Sequence, residues 1–237
     1  RQKRLKDLNL ILEAFYMSAE SGRDVVEVNR VLSRGSKHDV YEIEELSGQG
    51  GEAQVYKGRT VGGRQVALKI YNHEIPRERA FREAKITSSI NSSYVVRSEY
   101  LGHWNNERYF LVMDYIEGEP MRELINKGVR PDNEEFRTVA LCLLEAVAAY
   151  HNYEDEDGNS MPLLHCDIKP DNIIMTKDNK PVLIDCTLSG EPRIDAYQGT
   201  RDYIPPDAVL GSDVQLSKSS DLYGLGVTLW EWLFGQK

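Results

Sequence analysis

Cysteine is scarce in this sequence. Three residues, Cys142, Cys166 and Cys186, occur in 237. They show no metal-ligand spacing and an odd count gives no complete disulfide framework, so a disulfide-stapled secreted architecture is excluded and a reducing, cytoplasmic setting is expected. Long apolar runs are lacking too: no stretch could span a bilayer and none reads as a signal peptide. Positive charge is in deficit, with 29 Lys and Arg against 38 Asp and Glu and a formal net charge of −9. That balance argues against wholesale binding to nucleic acid or to anionic membranes. Methionine is missing from position 1, where Arg stands, and the expectation is a piece of a longer polypeptide with further domains.

What is present fits a globular chain. Apolar residues make up 41% of it, and its length allows one large domain or two small lobes with real cores. Leu5, Leu8, Leu12, Phe15 and Ala19 recur at helical spacing, so residues 1–40 read as a helical extension that ends its pattern at Ser21-Gly22. Gly35–Asp39 reads as a loop. From Val40 the pattern alternates through Tyr41, Ile43 and Leu46, predicting a strand, and then comes Ser47-Gly48-Gln49-Gly50-Gly51-Glu52-Ala53-Gln54-Val55. Glycines let backbone amides approach phosphate oxygens, and Val55 can cover a ring from above.

Residues 64–70 predict another strand, with Lys69 among apolar neighbours. A mid-strand lysine is costly to bury unless paired with an anion. The next segment offers one: Pro76 starts a helix in which Phe81, Ala84, Ile86 and Ile90 form the apolar pattern and Glu83 supplies a carboxylate, with Glu78 the other acid weighed. Tyr94-Val95-Val96 and Arg108–Met113 read as two more strands. Phe136, Val139, Ala140, Leu143, Leu144, Val147 and Ala148 predict a long amphipathic helix after Pro131-Asp132. The acidic stretch Tyr153–Ser160 lacks the ligand alternation and terminal glutamate of an EF-hand and reads as a solvated insertion.

The chemistry concentrates in Leu164–Met175. Asp167, Lys169 and Asn172 supply, within five residues, a proton acceptor, a phosphate-neutralising ammonium and a carboxamide oxygen able to ligate a hard cation. Val182-Leu183-Ile184-Asp185 follows as an apolar strand ending in a carboxylate, and Gly199–Asp207 and Ser220–Gly226 close the series.

In this order the motifs, covering about residues 41–237, resemble the Hanks-type Ser/Thr protein kinases, and the doubled Gly50-Gly51 resembles bacterial members. The resemblance implies an α+β, two-lobed fold: an extension over 1–40, a β-rich N-lobe with one helix over 41–117, and an α-rich C-lobe over 118–237 that stops in its anchoring helix. It implies transfer of the γ-phosphoryl group of ATP to a Ser or Thr hydroxyl of a protein, autophosphorylation included. The competing readings are a nucleotide-binding pseudokinase or scaffold and a small-molecule kinase.

Carried over residue by residue, the resemblance makes Asp167 the acceptor of the hydroxyl proton and Lys169 the stabiliser of the transferring phosphoryl group. Thr200 follows from the G-T-x-x-Y segment. Lys69, held by Glu83, positions the nucleotide phosphates, and Asn172 and Asp185 hold Mg²⁺. Gly48, Gly50, Gly51, Val55, Ala67, Met113, Asp114 and Ile116 surround the nucleotide, the last three as gatekeeper and hinge. Asp221 anchors the catalytic loop.

The departures are Ala53 at the third glycine, Cys166 before Asp167, Cys186-Thr187 after Asp185, and Pro205 and Asp207 near the end of the activation segment. Cys166 removes the arginine that receives an activation-loop phosphate. A redox bridge from Cys166 to Cys186 needs Cα atoms within about 7 Å. Thr187 at a positive-φ position would cost about 1–3 kcal/mol, so the Asp185 segment is expected to flip less readily than in ordinary kinases.

Overall fold

The computed structural model describes residues 31–33, 40–104, 108–155, 157–186, 201–210 and 216–236. Two compact units divide the chain: residues up to Ala84 with Ser98–Tyr115, and Lys85–Arg97 with Ile116 onward. Thr187, Thr200, residues 1–30 and the Gly35–Asp39 loop lie outside the described residues, and the expectations placed on them stay with them.

The first unit is built on a six-stranded antiparallel sheet. In chain order its strands are β1 (Val31–Ser33), β2 (Val40–Gln49), β3 (Ala53–Thr60), β4 (Gln65–Tyr71), β5 (Ser98–Trp104) and β6 (Arg108–Asp114), arranged β1-β2-β3-β4-β6-β5. β1 falls inside the stretch expected to be a helical extension, which is therefore not wholly helical. The alternation of side chains along a strand sends Val66, Leu68 and Ile70 to one face, where they join Tyr41, Ile43, Tyr56, Phe110 and Val112 in a buried cluster. Ala67, Lys69 and Tyr71 necessarily take the other face. β2 shifts register between Ile43 and Glu45 and again between Leu46 and Gly48, so bulges absorb Glu44 and Ser47.

Helix α1 (Arg77–Ser89) begins just after Pro76, whose carbonyl accepts from Arg79 N at 3.0 Å. Its buried side is Ala80, Glu83, Ile86 and Thr87, at helical spacing. Phe81, expected in the apolar stripe, is 46% exposed and instead meets Arg77 and the edge of Tyr109. Tyr94–Val96 is not a strand. Val95 makes an isolated parallel bridge to Leu183, while the ladder partner of β6 is Ser98–Trp104, a run too polar to stand out by composition.

The second unit carries a small antiparallel sheet of β7 (Gly118–Pro120), β8 (Ile173–Thr176) and β9 (Pro181–Leu183). Gly118 is required there, since a Cβ would lie 2.3 Å from the Met175 carbonyl oxygen. Its helices are α2 (Met121–Asn126), α3 (Asn133–His151), α4 (Pro206–Leu210) and α5 (Lys218–Phe234). Asp132 caps α3 by accepting from Glu134 N and Glu135 N. Val139, Leu143, Ala146, Val147 and Tyr150 of α3 join Met121, Ile125, Ile173, Leu183, Leu225 and Trp232 in the main core of this unit. Leu144 and Ala148, expected on that stripe, face solvent because the buried face of α3 is narrower than the apolar residues allow.

The acidic insertion forms a compact turn. Asp155 Oδ1 accepts from Asp157 N and Asn159 N, Glu154 bridges Ser160, and the Asn159 side chain holds the Asp155 carboxyl below its usual range. Among the described residues, no helix is long and apolar enough to cross a membrane.

Candidate functional site

In the first unit, strand register gathers the residues of interest. Directly opposed residues of an antiparallel sheet share a face. Gly48 pairs with Val55, Val55 with Lys69, and Lys69 with Leu111, while Ala67 pairs with Met113. Val55, Ala67, Lys69 and Met113 therefore occupy one face, opposite the buried cluster. Lys69 is 4% exposed, and its Nζ lies 2.8 Å from Glu83 Oε1. Glu83 is itself buried and also accepts from the Tyr71 hydroxyl at 2.7 Å. Glu78 is exposed.

The Gly-rich turn is shorter than the motif suggests. Gly48 belongs to β2, and the turn proper is Gly50–Glu52, closed by Gly50 N donating to Ala53 O at 2.9 Å. Asp114 ends β6 and Tyr115 ends the unit.

In the second unit, the run before Asp167 is held by α5. Asp221, 2% exposed, accepts from His165 N at 2.9 Å, Cys166 N at 2.8 Å and His151 Nε2 at 2.8 Å. Those bonds hold Cys166 at φ 65°, a left-handed conformation that a non-glycine residue adopts at a cost. Immediately beyond it, Lys169 Nζ donates to Asp167 Oδ2 at 2.8 Å, and Asn172 Nδ2 donates to the same oxygen at 2.9 Å and to Asp167 O at 2.8 Å.

The short 3₁₀ turn Pro170–Asn172 makes this convergence possible by bending the chain back within five residues. With its amide nitrogen turned to Asp167, Asn172 presents Oδ1 on the other side. Ile184 N donates to Asn172 O at 2.8 Å, which ties the segment ending in Asp185 to the loop. Asp185 is half-buried at φ 61°. A positive φ therefore stands at Asp185 itself; Thr187, where one was expected, lies outside the described residues. Ile116 is half-buried at the start of this unit.

His165 is fully enclosed, its Nδ1 accepting from Asp167 N at 3.3 Å. Burial pushes its pKa down, against the opposing pull of Asp221, Asp167 and Asp185, so the ring is neutral and carries its proton on Nε2. Cys166 points into a separate apolar cluster with Ile204, Ala208 and Leu216. Burial pushes its thiol up to about 12, leaving little thiolate for redox chemistry. Cys186 lies in the main core, so the two cysteines sit in different clusters and no disulfide joins them. Asp207 is exposed on α4.

One ionic network had no clear signal in the sequence. Arg122 of α2 donates from Nε and Nη2 to Asp171 Oδ2, each at 3.1 Å, from Nη2 to the Tyr203 hydroxyl at 2.6 Å, and from Nη1 to Glu231. Tyr203 in turn donates to Glu231 Oε2 at 2.6 Å. Burial works against the charged guanidinium, but the bonds to Glu231, Asp171 and Tyr203 outweigh it and raise its pKa. A carboxylate inside the apolar run Leu229–Phe234 was the available clue to Glu231.

Comparison with known proteins bears on the whole arrangement. The family model described as "Protein kinase domain" matches residues 41–237. The chain is 31% identical to serine/threonine-protein kinase A of Synechocystis sp. over 74% of its own length and 36% of that protein's. It is 29% identical to serine/threonine-protein kinase pkn2 of Myxococcus xanthus over 73% of its length and 22% of that protein's. It is 27% identical to MAP kinase kinase MKK1/SSP32 of Saccharomyces cerevisiae over 72% and 34%. It thus spans only about a fifth to a third of these relatives. With a β-rich unit, an α-rich unit and a model match running from Tyr41 to Lys237, the chain belongs to the protein kinase domain family.

Proposed function

We propose that this chain transfers the γ-phosphoryl group of ATP to a Ser or Thr hydroxyl of a protein, acting in the cytoplasm as part of a larger signalling polypeptide. Phosphoryl transfer asks little covalent chemistry of the protein and mostly needs positioning and charge neutralisation. The observation that carries the reading is the convergence of Lys169 and Asn172 on Asp167 Oδ2, in a loop fixed by Asp221.

Each role follows from the chemistry of its group. Asp167 orients the acceptor hydroxyl and takes its proton. Lys169, already beside that carboxylate, neutralises the transferring phosphoryl group. Lys69, held in its rotamer by Glu83, positions the nucleotide phosphates. Gly48, Gly50 and Gly51 let the backbone approach them. Val55, Ala67 and Met113 line the base, and the backbone at Asp114 and Ile116 recognises its edge. Thr200 completes the set as the activation-segment threonine.

The Asn172 carboxamide oxygen and the Asp185 carboxylate are hard oxygen donors of the kind Mg²⁺ prefers, and the Asn172 nitrogen is committed to Asp167, so the donor set fits the ion. Asn172 and Asp185 would hold Mg²⁺, which would supply positive charge against the phosphates. Cys166 makes this a catalytic loop of the non-Arg type: its buried thiol offers no cation to an activation-loop phosphate.

The test is Asp167→Asn in the full chain, incubated with radiolabelled ATP with and without Mg²⁺ and with a generic Ser/Thr protein substrate. Label on the substrate or on the protein itself should fall by about 10²–10⁴-fold while ATP still binds. Comparable turnover in the variant removes Asp167 from its role. Tight nucleotide binding by the unaltered protein with label on neither acceptor overturns the kinase assignment.

A further inference from the structure

The Gly-rich turn carries a charge that its proposed role does not want. Glu52 is the last residue of the turn Gly50–Glu52, directly before β3, and a carboxylate there repels a triphosphate approaching the same backbone. Two side chains from outside the turn answer this. Arg79 Nη2 lies 2.6 Å from Glu52 Oε1, with both side chains about one-fifth exposed. Arg79 stands four residues before Glu83 on α1, so the two acid–base pairs leave the same face of one helix, Lys69–Glu83 toward β4 and Arg79–Glu52 toward the turn.

Asn72, just past β4, supplies the second tie: its backbone N donates to Glu52 O at 2.8 Å and its Nδ2 to Gly51 O at 2.9 Å. In a trans peptide the C=O and the following N–H point in opposite directions. Aiming the Gly51 and Glu52 carbonyls at Asn72 therefore turns the Glu52 and Ala53 N–H groups away from it. Successive amides presented together form a concave donor surface for an anion.

We infer that Asn72 and Arg79 are positioning residues for the nucleotide phosphates. Asn72 sets which side of the turn offers its amides. Arg79 cancels the Glu52 charge and registers the turn against the helix that carries Glu83. The inference rests on the reading of the turn as a phosphate site, given above.

Binding of ATP and of adenosine to the full chain, measured side by side, tests it. Arg79→Ala should weaken ATP by about tenfold and leave adenosine unchanged, because only the phosphates meet the unmasked carboxylate. Adding Glu52→Gln to Arg79→Ala should restore ATP affinity to within about twofold, a recovery that a purely structural role of Arg79 does not give. Asn72→Ala should weaken ATP by about fivefold, again sparing adenosine.

Equal losses for ATP and adenosine, or no recovery in the Arg79→Ala, Glu52→Gln protein, overturn the inference. If the unaltered protein binds ATP no more tightly than adenosine, the phosphate-site reading itself fails, and that outcome is separate from a failure of the variants alone.

Discussion

Asp221→Asn tests whether one buried carboxylate holds the loop that carries Asp167. The aspartate accepts three hydrogen bonds, from His165 N, Cys166 N and His151 Nε2. Asparagine keeps one acceptor oxygen, enough for the Cys166 amide, but sets an NH₂ group against the His165 amide. His151 can answer by exchanging tautomer and accepting from that NH₂. The net change is one orphaned buried N–H, about 1–3 kcal/mol, plus the loss of charge assistance on the surviving bond, for a total of about 3 kcal/mol. Alanine removes both acceptor oxygens, and with them all three bonds, and should cost about 5 kcal/mol. Urea unfolding followed by tryptophan fluorescence reads this directly, because buried Trp232 lies on the same helix.

The strain at Cys166 adds an internal check. Its φ of 65° costs a non-glycine residue about 1–2 kcal/mol, and the Asp221 bonds are what oppose relaxation. When those bonds weaken, the loop should relax and carry Asp167 out of place, so phosphotransfer falls further than stability alone explains. Glycine at 166 removes the strain. The Asp221→Asn, Cys166→Gly protein should therefore recover phosphotransfer relative to Asp221→Asn. A loss below about 1 kcal/mol in Asp221→Asn, or no recovery with glycine, refutes the anchoring argument.

Three further outcomes follow from the same geometry. Lys69→Met leaves Glu83 buried without its cation and should cost about 3–5 kcal/mol in chemical denaturation, while Lys69→Met with Glu83→Leu should cost clearly less because no charge is stranded. Gly102→Ala would set a Cβ 2.0 Å from Phe110 Cζ, and overpacking should cost about 1–3 kcal/mol in thermal unfolding, with part of the loss recovered in a Phe110→Val background. His165 has its pKa lowered from 6.5 by burial, so the unfolded chain binds a proton that the folded chain refuses; stability present above pH 6.5 should be lost as pH falls through and below that value, and His165→Phe should flatten this part of the stability–pH curve.

What the sequence made legible was what short spacing or a single violated expectation reveals. Asp167, Lys169 and Asn172 lie within five residues, so their convergence needs only one 3₁₀ turn. Lys69 was visible because a cation in an apolar strand demands an answer, and the helix that supplies Glu83 begins only a few residues later. The errors also have physical causes. Tyr94–Val96 has strand composition but its backbone is used for a single bridge to β9, while the polar strand Ser98–Trp104 earns its place by pairing with β6. Phe81 follows the helical period yet faces out, because Glu83 and Thr87 occupy the buried side of α1. Stabilising a charge there took precedence over burying a ring.

Three buried carboxylates show where the limit of such reading lies. Glu83 meets Lys69 across 14 positions, Asp221 meets the Cys166 amide across 55, and Glu231 meets Arg122 across 109. The nearest pair was found from the residues together with the resemblance of its motif; the middle one was placed through the resemblance of its motif; the farthest gave no partner. Burying an ion without its counterpart costs several kcal/mol, so each acid in an apolar setting announces that a cation or a set of amides must reach it. Which group does so is decided by the fold. In the Arg122 network it links α2, the Asp171 end of the loop that carries Asp167, Tyr203 and α5 through one guanidinium, and that is why a carboxylate far along the chain bears on how the residue next to Asn172 is held.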